Sequence, residues 1–148
     1  MKAVAIAFGA IVLVTVTLCG AQDISFTPDQ YKWTRNPATG SEIAPVMGDP
    51  RQAGTFILRV RYPAGLKSMP HTHPNDTLVT VISGTLRYAE GTTFDETKFK
   101  DYPAGSFFVA RANVPHYEMA VSTAEFQAYG TAPLAFIFVN PKDDPKNR

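Results

Sequence analysis

The chain has 148 residues, with 14 Lys and Arg against 13 Asp and Glu, a formal net charge of +1. That length supports one domain with a substantial core and is short for two. Hydrophobic residues at 45% and charged residues at 18% exclude an extended disordered chain. No basic stripe runs along it, which argues against nucleic acid as a partner.

Residues 1–21, MKAVAIAFGAIVLVTVTLCGA, carry Lys2, then an apolar run from Ala3 to Leu18, then small residues. This is the layout of a secretory signal peptide, with a cut after Ala21 and Cys19 at the −3 position. A lipoprotein cut ahead of Cys19 fits poorly behind the bulky Leu18. The apolar run is short for a full span, so no stable membrane insertion is expected after cleavage. Cleavage removes Lys2, which brings the 14 basic residues level with the 13 acidic ones. It also removes the only cysteine, leaving no disulfide and no thiolate chemistry in an exported protein, periplasmic or secreted.

Residues 22–54 are rich in turn formers and hold short apolar pieces at 23–26 and 43–47, with the single tryptophan, Trp33. They read as short edge strands and loops on a core. In TFILRVRY (55–62), Phe56, Leu58, Val60 and Tyr62 alternate with Ile57, Arg59 and Arg61, so a strand with one apolar face is expected. Residues 76–91 form two strand pieces divided at Gly84. Thr93 and Glu96 have capping-box spacing, which predicts one short helical turn. Two further strands with a turn between them are expected over 101–121, and 124–140 closes the domain. The stretch 141–148, PKDDPKNR, reads as a charged, flexible tail. Many short strands, Gly/Pro punctuation and no long amphipathic helix make the fold class all-β, a sandwich or barrel over residues 22–140.

The chain has three histidines, and two of them, His71 and His73, stand in MPHTHP. Alternate residues of a strand share a face, so this pair presents two imidazoles together. The third, His116, begins another predicted strand in NVPHYEM. Two ligands from one strand and one from another can build a facial metal site with open positions. By the same parity Met69, Val79 and Val81 line an apolar interior, and Glu118 faces the same way as His116. Lys67 shares the histidines' parity but precedes Pro70, where the strand is expected to start. Asp76 and Tyr117 have the opposite parity.

The spacings Gly65-x5-His71-x-His73-x3-Thr77-x6-Gly84 and Gly105-x5-Arg111-x-Asn113-x2-His116-x3-Ala120 resemble the two motifs of the cupin superfamily. The resemblance covers roughly residues 55–140. It implies a single-domain, jelly-roll-like cupin barrel with His71, His73 and His116 holding one divalent metal ion, Fe, Zn, Mn, Ni or Cu. It also implies a homodimer formed through edge strands and a small-molecule ligand or substrate.

Four positions depart from the motifs. Arg111 stands for proline, Asn113 for glycine and Ala120 for asparagine; Asn tolerates a left-handed backbone, so the turn survives. Thr77 stands where the family usually places a glutamate ligand. Three neutral imidazoles then leave the full charge on the ion, a stronger Lewis acid held less tightly. Glu118 is the candidate compensation, as an acid/base group or an acceptor beside the ligands. Thr77 joins Met69, Val79 and Val81 as a pocket residue. Function divides between a metal-dependent, dioxygenase-like, hydrolytic or isomerising enzyme on a small organic molecule and a non-catalytic ligand- or metal-sensing module. A barrel whose histidines only bond one another is the third reading. The fold alone does not choose among them.

Overall fold

A computed structural model describes residues 24–147; the proposed signal peptide lies outside the described residues. The apolar alternation of 55–62 becomes β3 (Gly54–Tyr62), and Phe56, Leu58, Val60 and Tyr62 are all buried. Along it lie β2 (Glu42–Met47) on one side and β10 (Ala124–Ala132) on the other. β1 (Thr34–Arg35), β5 (Thr77–Ser83) and β8 (Phe107–Ala110) complete a six-stranded sheet in the order β1-β2-β3-β10-β5-β8. The second sheet has five strands: β4 (Lys67–Thr72), β6 (Thr85–Glu90), β7 (Lys100–Pro103), β9 (His116–Ala120) and β11 (Ile137–Phe138). Their order is β11-β4-β9-β6-β7. Among the described residues every strand pairing is antiparallel. The inner faces of the two sheets, including Phe56, Val81, Leu86 and Phe126, pack together as the core, the arrangement of a jelly-roll sandwich.

The outer face of the six-stranded sheet carries charged residues on β3 and β10. On the outside of β3, Arg59 and Arg61 reach across to Glu125 of β10 at 3.1 and 2.8 Å. Trp33 lies over the Arg61 guanidinium at 3.8 Å, so the N-terminal segment is laid on this sheet by cation–π contact.

Several local expectations change. Residues 100–120 give three strands, β7, β8 and β9, because two turns interrupt them rather than one: Gly105 and Asn113 both take positive φ, 86° and 60°. Asn113 adopts the left-handed conformation expected of it. The helical turn is a 3-10 turn at Glu96–Lys98, and Asp95 caps it by accepting from the Thr97 N–H at 3.0 Å. So tight a turn places the orphan donor beside Asp95, leaving Thr93 outside. Pro70 lies inside β4 rather than at its start. The strand tolerates it because it falls at a bulge, where no ladder N–H is required. Residues 141–147 form two 3-10 turns, Pro141–Asp143 and Pro145–Asn147.

Candidate metal centre

β4 and β9 lie side by side, with Ser68 opposite Glu118 and His71 opposite His116. Between those pairs β4 carries two residues, Met69 and Pro70, where β9 carries only Tyr117, which is a β-bulge. The bulge resets the strand's parity, so Ser68 rather than Lys67 shares a face with His71. The Lys67 ammonium instead pairs with Glu96 at 2.6 Å, 5.0 Å over the Phe94 ring. Strand alternation holds on unbulged β9: His116 and Glu118 face the interior. Tyr117 faces the other side, where its hydroxyl donates to the Asp95 carbonyl at 3.0 Å.

The three imidazoles converge. Ring centroids are 4.9 Å apart for His71 and His73, 4.4 Å for His71 and His116, and 5.0 Å for His73 and His116. Each Nδ1 sits against a backbone carbonyl: Met69 at 2.8 Å, Ala135 at 2.7 Å and Val114 at 2.9 Å, respectively for His71, His73 and His116. A carbonyl only accepts, so every Nδ1 carries the hydrogen and every Nε2 keeps its lone pair. The Nε2 atoms of His71 and His116 are buried with no protein partner. Burial lowers the pKa of all three, to about 3 for His71 and about 4 for His73. The imidazoles are thus neutral, the form that binds a metal. Three ligand atoms lie within 4.8 Å of one another, and the orphaned lone pairs fit a cation. The donor set is that of a three-histidine site with positions left for other ligands.

Loop contacts hold the two motifs in register. The His73 carbonyl accepts from the Asn113 N–H at 2.8 Å. Asp76 accepts from the Ala112 N–H at 2.7 Å and from Arg111 at 3.2 Å. Asp76, of the wrong parity for a ligand, therefore clamps the loop that leads into His116.

Thr77 is buried on β5 and lines the cavity beside His73, as do Met69 and Val79. Val81 is also buried, but in the core rather than on the cavity wall. Among the described residues, the side chains close enough to share an ion are the three histidines, and Glu118 is not one of them. Glu118 is buried, and burial pushes its carboxyl up to about 7, partly opposed by a hydrogen bond from Tyr62. Tyr62 stands next to Glu118 and Ser68, and its own pKa is driven well up, by burial first and by the Glu118 charge after it.

Two contributors escaped the sequence reading. Tyr62 stood at an inward position of β3, but nothing local indicated that Glu118 would meet it. Phe136 stacks on His71 and lies edge-on to His73, both at 4.7 Å between ring centroids. It belongs to an irregular segment with no periodic signal, which also supplies the Ala135 carbonyl. The cavity at the site encloses about 750 Å³ between the sheets and is bordered by exposed Asn36, Ala38 and Lys146.

Fold and site together define a cupin-type protein with a three-histidine cluster. Residues 21–135 match the family described as the ChrR cupin-like domain, and the chain belongs to that family. No curated protein matches the chain. Among solved structures it is similar to polyketide cyclase RemF from Streptomyces resistomycificus, at 14% identity and TM-score 0.68, covering 84% of this chain and 90% of that one. It is also similar to KdgF from Halomonas sp., at 20% identity and TM-score 0.57, covering 72% and 92%. A double-stranded β-helix protein from Klebsiella pneumoniae matches at 21% identity and TM-score 0.57, covering 78% and 98%. At these identities the likeness concerns the fold.

Proposed function

We propose that this is an exported cupin that holds one divalent ion on His71, His73 and His116 and binds a small organic molecule beside it. The observation that carries the reading is the set of three carbonyl-capped imidazoles whose Nε2 lone pairs converge, two of them buried without partners. Export rests on the layout of residues 1–21, and the family match begins at residue 21. A divalent ion bound there supplies Lewis acidity and lowers the pKa of coordinated water. His73, on the cavity side, orients its ring from the Ala135 carbonyl. Glu118, next to Tyr62, lines the same cavity, and in this reading its carboxyl orients a ligand or passes it a proton.

An enzyme acting on that molecule, including a dioxygenase-like one, is the favoured form; a polyketide cyclase among the structural neighbours is an enzyme on this fold. The second form is a non-catalytic binding module, supported by buried Thr77 at the position of the usual glutamate. A homodimer is part of the proposal: β8 and β11 end their sheets, and Phe107 and Ile137 on them are exposed. Elemental analysis of untagged protein, before and after chelation and reloading, tests the metal assignment. Close to one equivalent is expected in the intact chain and a large loss in His116→Ala. Less than about a tenth of an equivalent under every loading condition refutes it. With metal bound, a substrate panel with oxygen-uptake and product assays separates the enzyme from the module. Glu118→Gln is expected to keep the metal and lose turnover.

A further inference from the structure

The cavity walls constrain the molecule more closely than the metal ligands do. A volume of about 750 Å³ lies in the range that encloses a whole drug-sized molecule, far more than a two-carbon acid needs. Its inner walls are apolar: Leu58 and Val60 of β3, Val79 of β5, Phe126 and Ala128 of β10, and Leu134 beyond β10. Phe136, packed on His71 and His73, closes the side nearest the centre.

Charge narrows the class further. Among the described residues no arginine lines the cavity. Its lysines are Lys67, whose ammonium is held by Glu96, and Lys146 in the exposed C-terminal turn. Asp144 lines the same space with the opposite sign, and the Glu118 carboxyl on the wall is pushed toward its neutral form by burial. A phosphate or dicarboxylate entering there meets no fork of donors, and loses its hydration against hydrocarbon. At depth, the cationic element would be the ion that the three neutral imidazoles are able to hold.

Building on the metal reading above, we infer that the site takes a bulky, largely apolar molecule with a single oxygen-donor head group, neutral or singly anionic. The head group meets the ion beside His73, and the hydrocarbon part lies along the β3–β10–β5 wall. Phosphorylated and polycarboxylated small molecules are excluded.

Calorimetric titration of the zinc-loaded and the chelator-stripped chain tests this. The probes are acetohydroxamate, octanohydroxamate and 2-naphthohydroxamate, which share one head group and differ in apolar bulk. Oxalate serves as the doubly charged probe, and 2-naphthamide as the probe with a weak head group. On the zinc-loaded chain the two bulky hydroxamates are expected to bind at least about 100-fold more tightly than acetohydroxamate, because each buried methylene adds to affinity. Oxalate is expected to bind no tighter than acetohydroxamate. Ala128→Leu, which narrows the cavity from its wall, removes most of the gain of the bulky hydroxamates over acetohydroxamate. Phe136→Ala, at a partly exposed position, lowers naphthohydroxamate affinity at least about fivefold without a core change. A gain below tenfold, or oxalate as the tightest probe, overturns the inference. Failure of the metal reading looks different: zinc removal then leaves every affinity unchanged, while 2-naphthamide and 2-naphthohydroxamate bind alike.

Discussion

Removing the Asp76 carboxylate tests whether the two histidine motifs are held in register by their loops. Asp76→Ala deletes an acceptor 2.7 Å from the Ala112 N–H and 3.2 Å from Arg111. A hydrogen bond to a charged group contributes about 1.5–3 kcal/mol. The Asp76 side chain is 43% exposed, so the lower end applies, about 1–2 kcal/mol after screening. The Arg111 pair adds little, because that guanidinium is 66% exposed. A domain of this size then loses roughly 3–8 °C in Tm. The Asn113–His73 bond remains, so the loop loosens without detaching, and metal affinity falls about tenfold, as for other groups that orient ligands. Thermal unfolding of the stripped protein and competitive metal titration give the two numbers. Asp76→Asn keeps an oxygen at the Ala112 N–H and is expected to recover most of both. Arg111→Ala should change either by less than a quarter as much. Unchanged metal affinity in Asp76→Ala would refute the clamp.

Two further outcomes follow from burial and backbone. In the stripped protein the three histidines have lowered pKa values, so between about 6.5 and 4 the unfolded chain binds protons that the folded chain refuses, and stability falls as pH falls. Glu118, raised to about 7 from 4.5, acts in the opposite sense over 7 to 4.5. The balance is up to two protons in favour of the unfolded state, a slope of at most about 2.7 kcal/mol per pH unit. Denaturant titrations from pH 7.5 to 5 measure it; Glu118→Gln should steepen the fall, and stability that rises on acidification would contradict the burial argument. Gly84 joins β5 to β6 at φ 73°, where an added Cβ would stand 2.3 Å from the Thr123 carbonyl oxygen. Gly84→Ala is expected to cost about 2–3 kcal/mol by strain and backbone displacement, read as a lower denaturation midpoint; a midpoint unchanged from the parent would show that the hairpin relaxes freely.

The all-β class was legible because β3 alternates Phe56, Leu58, Val60 and Tyr62 with polar partners, and a period of two has one structural meaning. The three histidines were legible for the same reason, together with motif spacing that placed His116 beside the HTH pair. Parity failed where the chain departs from a regular ladder. The bulge at Met69–Pro70 moved Ser68 onto the site face and sent the Lys67 ammonium to Glu96. The turn at Asn113 made three strands of two.

By itself, the sequence determined an all-β chain, its strand faces, and three histidines spaced as in a cupin, because those depend on local periodicity and on which side chains can ligate. Only the tertiary structure decided how the site is completed. It brought the carbonyls of Met69, Val114 and Ala135 to the three Nδ1 atoms, set Tyr62 against Glu118, and laid Phe136 on the imidazoles. It also left Glu118 outside the group able to share an ion. The physical reason is the distance along the chain. His73 and Ala135 are 62 residues apart, so their contact depends on how two sheets close over one core rather than on any local pattern.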